Sequence, residues 1–213
     1  MTVAETAVVY PGVELGDGVA IGDHAVVGKQ PTLGRRSTAT REELPPLVVG
    51  EGSAILSLAV VFAGTRLGRR VVIGDQACVR ERCELGDEVV VGHGSLVEND
   101  TTIGARTRIQ ANAYVTAYST LEEDVFIAPG VITTNDNFMG RTEARLAAMR
   151  GPTIRRGARI GGGAVLLPGI EIGEEAFVGA GAVVLVDVPA RAVVVGNPAR
   201  QIRTVPDEEL LGS

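Results

Sequence analysis

An aliphatic residue recurs at every sixth position through most of this chain. Fourteen follow one another without a miss: Val49, Ile55, Val61, Leu67, Ile73, Val79, Leu85, Val91, Val97, Ile103, Ile109, Val115, Leu121 and Ile127. Val3, Val9, Leu15, Ile21, Val27 and Leu33 form an earlier run, and Ile154, Ile160, Leu166, Ile172, Val178 and Val184 a later one. Helices repeat at 3.6 residues and strands at 2, so neither pattern alone gives a period of six. A fixed period sustained this long predicts a solenoid, in which each repeat buries its apolar face only by stacking on its neighbours. Three hexads make a triangular coil of about 18 residues, stacked at the usual strand spacing of about 4.8 Å. Residues about 18 apart then lie in one column, for instance Val49, Leu67, Leu85, Ile103 and Leu121.

Four positions after each aliphatic residue the chain is small or β-branched, as at Val71, Ala77, Cys83, Val89, Ser95, Thr101, Thr107, Ala113, Ser119, Val125 and Val131. That is the mark of a second inward position with little room beside the large one. Gly often follows the aliphatic residue, where a tight bend with unusual backbone angles is expected. Two segments break the count. Residues 29–48, with three prolines and many charges, predict an extruded loop. Residues 134–152 predict a second, whose centre TEARLAAMR has the composition of a short helix. Insertions in solenoids tend to cluster on the binding face. The expected organisation is one domain over 1–205, about nine coils, and a short tail over 206–213.

Composition narrows the partners. Aromatics make up 3% of the chain and Trp is absent, as a narrow prism requires. A net charge of −6 with no basic run argues against a nucleic-acid partner. There is no apolar stretch long enough to span a membrane and no charged-then-apolar signal at the start, so a cytoplasmic protein is expected. Cys83 falls on an inward position, which makes it a buried thiol rather than half of a disulfide or metal pair with Cys78. Two histidines, His24 and His93, are too few for a three-histidine zinc site, and no metal is expected.

The prism pattern resembles the left-handed β-helix, hexapeptide-repeat acyltransferases over about residues 3–204. Its most specific part is Ile160 to Ile202, IGGGAVLLPGIEIGEEAFVGAGAVVLVDVPARAVVVGNPARQI, similar to the closing coils of CoA-dependent acetyltransferases. Within the family it looks most like the acetyltransferases of the 3-amino group of nucleotide-linked sugars. The segments that carry this are Arg108–Asn112, Leu121–Ile127, and Thr134-Asn135-Asp136 with Arg141. The chain departs from that pattern with Met139-Gly140 where the family has Pro before the Arg, and with the insertion at 29–48. Left-handedness comes from the resemblance alone, since parallel crossovers are right-handed nearly everywhere else.

The resemblance implies an all-β, left-handed parallel β-helix working as an acetyl-CoA-dependent N-acetyltransferase on the amine of a nucleotide-linked amino sugar. It also implies a homotrimer with CoA between neighbouring subunits. The small residues Gly162, Gly163, Ala180 and Gly181 would let a pantetheine arm lie against the coil edge, though turns need Gly anyway. Asn197 lies in the closing Gly196–Ala199 motif, and Arg200 and Arg203 are candidates for the CoA phosphates or plain surface charge. Histidine side chains can take up a proton near neutral pH, so His93 is the best base available. Asn112, about one coil on, would bond the amine or the acyl oxygen, or simply stack in its turn. Asn135, Asp136, Asn137 and Arg141 would hold the acceptor, while Asp136 would equally serve to cap its own loop. Competing classes are a hexapeptide transferase acting on another small amine or hydroxyl, and a non-catalytic β-helix scaffold. A serine-type enzyme would carry a large helical N-terminal region, and a lipid A acyltransferase a helical C-terminal one.

Overall fold

The computed structural model describes residues 1–35, 37 and 41–212. Part of the first predicted irregular segment, residues 36 and 38–40, and the last residue of the predicted tail, 213, lie outside that set. Among the described residues, short strands wind around three flat parallel sheets that form the faces of a prism. The first face begins with Thr2–Val3 and Ala20–Ile21 and runs to Ala192–Val195. The second begins at Val8–Val9 and ends at Val183–Val184; the third runs from Glu14–Leu15 to Glu171–Ile172. Strands pair with the strand one coil away: Val91 with Ile109, Val97 with Val115, and Leu85 with Ile103. The repeat therefore has the expected coil length. The column Val49, Leu67, Leu85, Ile103, Leu121 is present as predicted and extends through Ile154 and Ile172.

Every predicted inward position from Val71 to Val131 is buried. Full burial of one Val, Leu or Ile side chain is worth roughly 1.5–3 kcal/mol, and the prism repeats that gain at every hexad. Most buried hydroxyls bond between coils, while Ser119 Oγ donates within its own turn to the Thr116 carbonyl. Ser95 Oγ donates to the Gln110 carbonyl at 2.7 Å and accepts from the Ala113 N–H at 3.1 Å. On the surface, arginines pair with carboxylates one coil on, as in Arg69–Asp87, Arg70–Glu88, Arg82–Asp100 and Arg106–Asp124. Exposed pairs of this kind contribute little each, but they record the same register as the core.

Two expectations need correcting. The first face has ten parallel rungs, not nine, because the hexad period slips after Val184 and hides the strand Ala192–Val195. Apart from Gly28 (φ 85°), the glycines after the aliphatic residues in these runs have ordinary backbone angles. They are needed for proximity: a Cβ on Gly92 would lie 2.7 Å from the Gln110 carbonyl carbon of the next coil. The left-handed backbone falls two residues later, at Gly94 (φ 65°), Asn112 (φ 57°) and their equivalents.

Both irregular segments leave the prism at the corner between the second and third faces. The first is partly folded back: the Gln30 amide exchanges hydrogen bonds with the Leu44 backbone, and Leu47 is fully buried. The second contains the predicted helix, Ala144–Ala148, with no buried residue. The final strand, Arg200–Thr204, pairs antiparallel with Ala192–Val195 and closes the first face. Beyond it the chain forms a turn at Asp207–Glu209 and folds back on the body, where the Leu211 N–H donates to Glu175 Oε1 at 2.8 Å. Among the described residues, no helix is long and apolar enough to cross a membrane.

Candidate functional site

Most of the residues singled out above fall on one edge of the prism, the corner between the first and second faces. Its turns stack through a ladder of backbone hydrogen bonds. The Asn112 N–H donates to the His93 carbonyl at 2.8 Å, and the Gly130 N–H to Ala111 at 3.1 Å. Above them the Gly163 N–H donates to Pro129 at 3.0 Å and the Gly181 N–H to Gly162 at 2.9 Å. His93, Asn112, Gly162, Gly163, Ala180 and Gly181 thus share one column. Three rungs separate His93 from Gly162, about 14 Å at the usual strand spacing. Gly196–Ala199 caps the same edge: Gly196 accepts from the Val183 N–H at 3.0 Å, and the Ala199 N–H donates to the Val183 carbonyl at 2.9 Å. The Asn197–Pro198 peptide there is cis.

Local sequence explains how the histidine and the asparagine come together. His93 is exposed between Gly92 and Gly94. Gly92 lets the next coil seat directly on its backbone, and Gly94 leaves room for the Asn112 amide: a Cβ on Gly94 would lie 2.5 Å from Asn112 Oδ1. The two side chains therefore project from adjacent rungs at one corner. Among the described residues the exposed His93 imidazole has no hydrogen-bond partner within the chain. His24, the other histidine, sits three rungs earlier on the same edge, near the N-terminal end, against Thr6 and Asp23.

The acceptor candidates lie elsewhere. Asn135, Asp136, Asn137 and Arg141 belong to the corner between the second and third faces, so the structure separates them from His93 by the width of the second face. Asn135 is tied down, with Nδ2 donating to the Ala117 carbonyl at 3.4 Å and its own carbonyl accepting from the Arg150 N–H at 3.1 Å. Asp136 caps its loop through N–H donors from Phe138 (2.8 Å) and Gly140 (2.9 Å). Those donors, Gly140 first, hold its carboxyl below the ordinary value. Asn137 and Arg141 are exposed in the same turn. A pocket of about 220 Å³ opens beside it, lined by Asn135 with Glu98, Tyr114, Tyr118 and Met149. Sequence reasoning passed over Glu98 and both tyrosines, whose only signal was their place one coil and two coils from the insertion.

Arg200 and Arg203 extend along the closing strand. Arg200 lines a groove of about 470 Å³ with Leu185, Pro189, Val194 and Ala199 at the C-terminal end of the prism. Both arginines are exposed, and among the described residues their guanidinium groups donate only to nearby backbone carbonyls, of Ala199 and Thr204. Cys83 is buried with Sγ 3.1 Å from the Glu98 carbonyl, and burial pushes its thiol up to about 12. Neither it nor Cys78 is in a disulfide. Among the described residues no cluster of three or more His, Cys, Asp or Glu side chains is placed to hold a metal ion.

Known proteins share parts of this arrangement. Residues 151–185 match the bacterial transferase hexapeptide model, a unit of six repeats. This matched stretch carries the Gly162–Gly163 and Ala180–Gly181 turns. A serine acetyltransferase of Buchnera aphidicola is 42% identical over 86 residues, 40% of this chain and 29% of that protein. A putative acetyltransferase of Saccharomyces cerevisiae is 30% identical over 132 residues, 60% of this chain and 61% of that one. The chain thus spans less than two thirds of the length of either relative. Among solved structures, Arabidopsis UDP-N-acetylglucosamine acyltransferase superposes with a TM-score of 0.63 at 18% identity, over 95% of this chain and 74% of that chain. That likeness is one of fold, a left-handed parallel β-helix.

Proposed function

We propose that the protein is an acetyl-CoA-dependent N-acetyltransferase whose acceptor is the amine of a nucleotide-linked amino sugar. The observation that carries this is the single edge on which His93, Asn112, the glycine turns and Asn197 are aligned. A pantetheine arm laid along that edge meets backbone rather than side chains at Gly162, Gly163 and Gly181. The same line leads down to an unpartnered imidazole. His93 would take a proton from the attacking amine while Asn112 donates to the developing oxyanion or orients the amine. Arg200 and Arg203, at the far end of the edge, would meet the CoA phosphates. The hexapeptide match and the acetyltransferase relatives support the acyl-transfer chemistry.

The acceptor site needs a second copy of the chain in this reading. The second face carries an outward column of Val8, Val26, Val60, Cys78, Leu96, Tyr114, Ile132, Val165 and Val183, without a single charge. An apolar strip this long on a free prism favours self-association. A homotrimer would cover it and bring the Asn135–Arg141 corner of one copy to the His93 corner of the next. A hydroxyl acceptor is the second reading, favoured by the identity to the serine acetyltransferase over 86 residues.

The test is release of free thiol from acetyl-CoA against a panel of amino-deoxy nucleotide sugars, the free amino sugars and L-serine. Turnover with a nucleotide-linked amino sugar alone is the expected result. Turnover with L-serine alone would overturn the amine assignment, and no thiol release with any acceptor would overturn the reading whole.

A further inference from the structure

The outward positions of the first face alternate in an unusual way. One coil apart, in register, stand Val90, Arg108, Phe126, Arg159 and Phe177. Arg159 lies over the Phe177 ring at 5.2 Å. Beside Arg108 and Phe126 a groove of about 560 Å³ follows the face and reaches Gln110, the residue that leads into the Ala111–Asn112 turn. In a chain of net charge −6, the arginines here are under-compensated. The nearby carboxylates are spent elsewhere, Asp124 on Arg106 and Glu88 on Arg70. Arg108 has no ion-pair partner among the described residues. Arg159 keeps Nε and Nη2 buried without any hydrogen-bond partner. Its Nη1 is held at 2.9 Å by Glu209 of the folded-back tail, and Leu211 from that tail also lines the groove.

We propose that this ladder is a binding site for a nucleoside diphosphate, with the base stacked on Phe126 and the phosphates on Arg108 and Arg159. Planar bases stack on aromatic rings regardless of identity, and guanidinium groups pair with phosphate oxygens in a fork. The Glu209 carboxylate occupies a phosphate's place in the free protein and leaves when the ligand arrives. The site adjoins the His93–Asn112 edge, so it deepens the transferase reading and rests on it for its use. The nucleoside diphosphate belongs either to the acceptor or to CoA.

Calorimetric titration of the full chain separates these, with UDP in one arm and desulfo-CoA in the other. Arg108→Gln and Phe126→Ala change exposed, outward side chains and leave the core intact. Each should weaken binding about tenfold in one arm, the cost of a lost charge-assisted contact or stacking platform. Glu209→Gln should tighten the same arm several-fold by removing the competing carboxylate. Loss confined to UDP assigns the site to the acceptor, and loss confined to desulfo-CoA assigns it to the cofactor; both support the site. Wild-type affinities in both variants, or no binding of either probe, overturn it. Ladder-dependent UDP binding without thiol release in any acceptor assay would sink the transferase reading and leave this site standing. Turnover with variants unaltered in both titrations would sink the site alone.

Discussion

Asn112 occupies a backbone position that the rest of its corner gives mostly to glycine. The equivalent residues are Gly94, Gly130, Gly163 and Gly181, with Gln76, Leu58 and His24 towards the N-terminal end, all with positive φ. Asn is among the few side chains that accept that conformation readily, so the backbone alone does not demand it here. Asn112→Gly therefore keeps the turn and removes only the amide. If the amide bonds a neutral group during transfer, turnover should fall roughly 2- to 10-fold, the worth of about 0.5–1.5 kcal/mol, equally at every pH. Initial rates of thiol release check this, and unchanged rates would make Asn112 a turn residue only. Cys83 gives a second residue-level test. Burial raises its folded-state value to about 12, above that of a free thiol. A raised value means its contribution is fully present below the unfolded-state value and is lost as pH climbs from about 8.5 towards 12. Urea midpoints should therefore drop less steeply over that range in Cys83→Ala than in the wild type. Parallel slopes would show that the thiol is not held in its neutral form.

At the scale of elements, the second loop is a unit with a closed neck. Its ends meet where the Arg150 N–H donates to Asn135, and its helix buries nothing. Replacing residues 136–149 by a short Gly linker should leave the folded mass and CoA binding intact and abolish transfer. A replacement that leaves turnover unchanged would remove the loop from the acceptor site. The same elements show what the sequence made legible. The register was readable because a large inward residue returns every six positions: those from Val49 to Ile127 and from Ile154 to Val184 are buried, whereas Val3 and Val9 on the open first coil are exposed. The loop and its helix were readable because the period fails there. The role of Gly92 was not, since a bare backbone under the next coil and a left-handed turn both appear in sequence as Gly. The separation of His93 from Asn135 was legible, because the 42 positions between them are two coils and one hexad of an unbroken frame, which puts them on different corners. The Arg108–Phe177 ladder was hidden, since the slip at 134–152 offsets Phe126 from Arg159.

For the whole molecule, the uncharged outward column of the second face and the two separated corners lead to one expectation, a homotrimer whose sites form between copies. Light scattering after gel filtration should give three times the 22.1-kDa chain, and Ile132→Asp, at an exposed point of the apolar column, should shift it to the monomer and abolish turnover. A wild-type monomer at micromolar concentration would contradict this. The central claim is that the His93 edge carries out acyl transfer by base catalysis. The direct measurement is the pH–rate profile of thiol release from acetyl-CoA for wild type and His93→Asn, on the acceptor that the panel identifies. A positioned general base contributes ~10²–10⁴-fold, so kcat of the variant should fall by about that factor near neutral pH, with little change in KM for acetyl-CoA. Wild-type turnover by His93→Asn across the whole pH range would contradict the account.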